Sequence, residues 1–103
     1  MTNMFTIVGR LVNEPMIIRE EETNEDYTII NVAVGRNYKN EFGEYDTDFI
    51  RVKLCGSIAT NIIEYCRKGD LIGVKGKIES INYLELIAEK ITFLSSNRVL
   101  DNE

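Results

Sequence analysis

The chain has 103 residues, enough for one domain around one modest core. It has no histidine and only two cysteines, Cys55 and Cys66, so no metal site is expected, and both thiols should be free in a reducing compartment. The net charge of −5 argues against a polyanionic partner when taken whole, but Glu20, Glu21, Glu22, Glu25 and Asp26 supply the entire excess, so a local basic groove is not excluded.

No apolar run approaches the roughly 20 residues of a membrane span. The opening MTNMFTIVGR lacks the basic-then-apolar pattern of a signal peptide. The expectation is a cytoplasmic protein with no membrane partner.

The first strand is expected over 3–12. Phe5, Ile7, Gly9 and Leu11 alternate with Met4, Thr6, Val8, Arg10 and Val12, and both sets are largely apolar. Such a strand is covered on both faces, and a second subunit is a plausible cover for the outer one. Pro15 marks a bend, because it cannot donate to a strand ladder; Met16, Ile17 and Ile18 should continue the strand. The acidic run 20–26 reads as a solvated hairpin tip, or as a repulsive lip.

A second strand is expected over 27–36, followed by the connection NYKNEFGEY. Tyr38 and Lys39 stand at its root, Phe42 and Tyr45 near its tip; these rings are either loop anchors or exposed contacts. In the third strand Ile50, Val52 and Leu54 alternate with Phe49, Arg51 and Lys53. Side chains alternate faces along a strand, so one side is aliphatic and the other aromatic and basic.

Ser57 is expected to cap a helix reaching about Arg67, with Ile58, Ile62, Tyr65 and Cys66 as its apolar stripe and Gly69 as its terminator. A fourth strand follows over 71–79, with Lys75 and Lys77 on one face and Gly73 and Gly76 permitting tight coiling. Ser80-Ile81-Asn82 is a short turn, and a fifth strand covers 83–94. Residues 1–95 are expected to form the domain and 96–103 a short tail. Three strands, one helix and two strands match the all-β five-stranded OB barrel, whose helix lies between strands three and four; other five-stranded α+β arrangements fit the pattern as well.

Several segments, in order, resemble the bacterial and phage single-stranded DNA-binding proteins. They are Asn3 with Gly9-Arg10-Leu11 and Pro15; Val32-Ala33-Val34-Gly35-Arg36; Thr47-Asp48-Phe49-Ile50; Lys68-Gly69-Asp70 with Val74 and Gly76; and Ala88-Glu89 with Ile91 and Phe93-Leu94. The resemblance spans residues 3 to 94. It implies an OB fold, homo-oligomers (a tetramer or dimer, possibly joined through the first strand) and nucleoid-associated, sequence-tolerant binding of single-stranded DNA in replication, recombination or repair. It places stacking platforms at Tyr38, Phe49, Cys55 and at or near Tyr83.

Cys55 departs from that pattern, because a thiol offers no ring. The hairpin between strands four and five is short where the family has a long ribbon. The chain also ends at LDNE rather than in an acidic tip, so no tail-mediated partner recruitment is expected.

The residues themselves support the same chemistry. Exposed rings stack on any base, while Arg51, Lys53, Lys75 and Lys77 would meet phosphates, with Arg36 and Lys39 extending the track beside Tyr38. No triad, metal-ligand cluster or phosphate-cradling glycine loop is present, so neither enzymatic activity nor a cofactor is expected. The competing reading is an OB-fold assembly module, like a primosome accessory, with weak nucleic-acid binding. RNA binding on the same face is a third reading.

Overall fold

A computed structural model of the chain describes residues 1–96; the predicted tail lies almost wholly outside the described residues. Six strands and one helix follow in order: β1 (Phe5–Leu11), β2 (Ile18–Arg19), β3 (Asp26–Lys39), β4 (Tyr45–Cys55), α1 (Ser57–Tyr65), β5 (Leu71–Ser80) and β6 (Leu84–Ser95). The sheet runs β1-β5-β6-β4-β3, and β1 pairs with β3 to close it; β2 adds two residues to the outer edge of β3. This closed five-stranded barrel, with its single helix between the third and fourth barrel strands, is the OB fold.

The period-2 pattern sets the inside. Ile30 and Val32 of β3, Val52 and Leu54 of β4, and Ile72 and Val74 of β5 are all buried, joined by Leu11 and Ala88. Thr28 of β3 is buried among them, and its Oγ1 has no hydrogen-bond partner among the described residues. Ala59 and Ile62 of α1, with Cys66 just beyond it, close one end of the core.

Barrel closure demands close backbone approach at two glycines. A Cβ at Gly9 would lie 2.2 Å from the carbonyl oxygen of Ala33, and one at Gly76 would lie 1.9 Å from that of Ile87. Gly73, expected to serve the same end, has room: its nearest neighbour would be Thr92 at 3.8 Å.

The bend after β1 differs from expectation. Met16 and Ile17 are exposed outside any strand, and only Ile18 and Arg19 pair. Pro15 is buried, and the Asn13 side chain ties the bend to β3: its Oδ1 accepts from the Asn31 amide at 2.9 Å and its Nδ2 donates to the Ile29 carbonyl at 3.3 Å. A side chain thus supplies the bonds that a continued strand would have made.

The helix also starts and ends differently. Gly56, at φ 63°, is the N-cap, and no side chain caps the helix; Ser57 is already its first residue. Tyr65 is 64% exposed and leaves the buried stripe to Ala59, Ile62 and Cys66. Spacings of three and four residues keep those on one face, whereas Tyr65 is one residue, about 100°, off it. The C-terminal end behaves as expected of a nearby cation: Arg67 Nη1 donates to the carbonyls of Ile63 at 3.0 Å and Cys66 at 2.9 Å. Gly69 lies beyond the helix, in the turn that donates its amide to the Leu11 carbonyl at 2.7 Å.

Candidate nucleic-acid interface

The outward residues of β3 and β4 form ladder pairs: Tyr27 with Cys55, Ile29 with Lys53, Asn31 with Arg51, and Ala33 with Phe49. The small partner Ala33 leaves the ring opposite it proud. Phe49 stands over Ala33 and is 68% exposed. On its other side β4 runs parallel to β6, with Lys53 level with Ile87. Continuing that register puts Glu85 level with Arg51, and Tyr83 lies just before β6 begins. Ile87 in turn pairs with Lys77 of β5. Lys53 and Lys77 therefore belong to one row across β4, β6 and β5.

β3 runs further than the sequence pattern suggests. A register irregularity between Gly35 and Lys39 carries the β3–β4 hairpin out beyond the barrel, ending at the pair Lys39–Tyr45. Tyr38 is therefore a strand residue, 64% exposed, rather than part of a loop root. Asn40 shapes the turn: its Oδ1 accepts from the amides of Phe42 at 2.8 Å and Glu44 at 3.0 Å. Phe42 and Tyr45 remain exposed, so neither ring anchors the loop to the core. Lys39 Nζ lies 5.9 Å from the Tyr45 ring centroid.

The nine residues singled out from the sequence thus fall into three groups. Phe49, Arg51, Lys53 and Lys77 share the outer face, with Tyr83 exposed beside the β5–β6 turn. Arg36, Tyr38 and Lys39 line the projecting hairpin. Lys75 stands apart: it pairs with Thr6 of β1 and Lys90 of β6, along a groove bordered by Val8, Thr92 and Leu94.

Most of the cations on this face are paired with carboxylates. Arg36 makes a two-pronged contact with Asp48, Nη2–Oδ1 at 2.9 Å and Nε–Oδ2 at 3.1 Å, and also lies 3.9 Å from Asp46. Arg51 meets Glu85 at 3.4 Å and Lys77 meets Glu79 at 3.1 Å. The hydrogen bond from Arg36 holds the Asp48 carboxyl below the usual carboxylate range, outweighing the partial desolvation that opposes it. Lys53 lies over the Tyr27 ring at 4.8 Å, a cation–π contact.

Tyr27, which is not among the residues expected on this face, is a further surface ring. The signal was present, because Tyr27 continues the Ile29, Asn31, Ala33 set by two residues. Its placement opposite Cys55 depends on the β3–β4 register. The acidic run lies next to it: Glu20, Glu22, Glu25 and Asp26 border a depression whose floor includes Tyr27, Lys53 and Cys55.

The fold and this face define an OB barrel that presents rings and cations together on one open surface. The model of the single-strand binding protein family matches residues 2–93. A single-stranded DNA-binding protein of Staphylococcus epidermidis is 38% identical, over 92% of this chain and 78% of its own length. Single-stranded DNA-binding protein 1 of Clostridium acetobutylicum is 30% identical, over 93% of this chain and 96% of its own. The protein of that name from Lactococcus lactis is 32% identical, over 95% and 71%. The chain belongs to the single-strand binding protein family.

Proposed function

We propose that the protein binds single-stranded DNA with little sequence preference, on the outer face of β3, β4 and β6, in replication, recombination or repair. It acts as a binding protein, not an enzyme, and works in the cytoplasm on nucleoid DNA. The observation that carries this reading is Phe49: a ring 68% exposed in mid-strand, with Arg51 two residues along its own strand and only the small Ala33 opposite it on β3. A solvated phenyl ring gains by stacking, and every base has a face to offer it, at about 1–3 kcal/mol per base.

Tyr38 and Tyr83 extend the stacking surface along the two hairpins. Arg51, Lys53, Lys77, Arg36 and Lys39 meet the phosphates between stacked bases. Lys75 is the most remote member of the proposed track, because it faces the β1–β5–β6 groove. Residues 1–95 form the binding domain and 96–103 a short tail.

Self-association through β1 is the second part of the reading. Val8 on its outer side is 50% exposed, Met4 and Val12 just beyond its two ends are 53% and 36% exposed, and Leu94 of β6 is 47% exposed. A second copy would remove this apolar strip from water. Sedimentation or light scattering should give a dimer or tetramer; a monomer would remove this part.

Titration of fluorescent oligo-dT of about 35 nucleotides tests the first part. Binding should be present at about 20 mM salt and weaken steeply as salt rises. Phe49→Ala and Tyr38→Ala should each weaken it roughly 5- to 150-fold with the fold intact, the range set by one lost stacked base. No binding by folded protein at low salt would instead favour the assembly-module reading, which Cys55 and the paired cations also support. An oligo-rU competitor separates DNA from RNA preference.

A further inference from the structure

Three of the cations on the binding face hold an anion from the chain itself. Arg36 holds Asp48, Arg51 holds Glu85 and Lys77 holds Glu79, at 2.9, 3.4 and 3.1 Å. These pairs are not an accident of one neighbourhood. Asp48 precedes Phe49 on β4, Glu85 reaches Arg51 from β6, and Glu79 is two residues beyond Lys77 on β5. Each carboxylate oxygen sits where a phosphate oxygen would have to sit to meet the same donor, because guanidinium and ammonium groups accept either oxyanion with similar geometry.

We propose that Asp48, Glu79 and Glu85 are stand-in anions that occupy the phosphate-binding groups of the free protein and set its affinity by competing with DNA. The proposal rests on the single-stranded DNA reading above and adds to it three residues that determine affinity. Phosphate that takes the Arg51 Nη1 donor displaces Glu85 from it, and the freed carboxylate then stands beside the strand and repels it. The chain thereby keeps three cations of its binding face neutralised when empty.

Two consequences separate this from a general effect of net charge. First, removing a stand-in anion should tighten binding, by roughly two- to five-fold per site, because an exposed ion pair is worth at most about that factor. Second, the salt dependence should steepen. In the wild type a displaced carboxylate gathers cations from solution while the bound phosphate loses them, and the two partly cancel. With glutamine in place of glutamate only the loss remains.

The test compares oligo-dT binding across a salt series for the wild type, Glu85→Gln, Glu79→Gln and Asp48→Asn. Glu64→Gln, on the exposed side of α1, makes the same change in net charge away from the face. Glu85→Gln and Glu79→Gln should bind more tightly and with a steeper salt slope than Glu64→Gln. On an Arg51→Gln background the gain from Glu85→Gln should vanish. Wild-type binding with all variants matching Glu64→Gln would overturn the competition while leaving the DNA reading standing. Failure of the wild type and every variant to bind would overturn both. Thermal unfolding of each variant checks that the fold is unchanged.

Discussion

Tyr27 stands directly across the β3–β4 ladder from Cys55, and the ammonium of Lys53 lies 4.8 Å from the centre of its ring. The family resemblance puts a stacking platform at Cys55, where this chain has a thiol. The nearest aromatic ring on that part of the face is therefore on the neighbouring strand, covered by a lysine and bordered by the acidic run 20–26.

Restoring the ring at its family position should therefore strengthen the grip. Cys55→Phe is expected to tighten oligo-dT binding at least about five-fold, the lower end of what one stacked base contributes. The exposed position makes the change tolerable to the fold. Unchanged affinity in a fluorescence titration would mean that DNA does not reach this end of β4.

The two glycines of β5 should respond to very different degrees to the same added methyl group. Gly76→Ala forces a Cβ to within 1.9 Å of the Ile87 carbonyl oxygen, a backbone atom that cannot swing away. A loss of about 1–3 kcal/mol or more is expected from such overpacking. Gly73→Ala meets nothing closer than 3.8 Å and should cost well under half of that. Urea unfolding of the two variants side by side measures the difference.

Thr28 carries a buried hydroxyl without a partner among the described residues, opposite Leu54 inside the barrel. Valine has the same shape and no polar atom. Thr28→Val should stabilise the domain by about 1 kcal/mol, because the cost of burying an unpaired hydroxyl disappears. The expected rise in Tm is roughly 4–8 °C. A lower Tm would mean that the hydroxyl finds a bond in solution.

The Arg36–Asp48 clamp has a pH signature. Its hydrogen bonds lower the folded-state pKa of Asp48, so the proton binds the unfolded chain more readily than the folded one. The stabilisation is therefore present above the ordinary aspartate value of about 3.9 and is lost as pH falls through the lower folded value. Carboxylate carbon shifts followed by NMR should show Asp48 titrating below about 3.9. In Arg36→Gln the midpoint should rise, because the donor responsible is gone. An unmoved midpoint would assign the shift to another cause.

Much of the barrel was legible in the chain. Alternation of Ile50, Val52 and Leu54 with Phe49, Arg51 and Lys53 specified both faces of β4, because side-chain period along a strand is fixed by backbone geometry. Helix position, the bend at Pro15 and the β5–β6 turn were equally local. The misses were local too, but decided from outside. Met16 and Ile17 have strand chemistry, yet the Asn13 side chain takes bonds at Asn31 and Ile29 of β3 that a continued strand would have made. Tyr65 has the composition of a core residue but lies one position off the face that α1 turns inward.

Alternation along each strand already says which residues face in and which face out, and hence that rings and cations share an outer surface. Which strand lies beside which is set by the folded barrel. That placement brings Glu85 to Arg51 from 34 residues away, sets Tyr27 against Cys55 and carries Lys75 round to the β1 side. The reason is physical: alternation is a property of one strand, whereas neighbours across a sheet depend on register and barrel closure, which the close approaches at Gly9 and Gly76 permit.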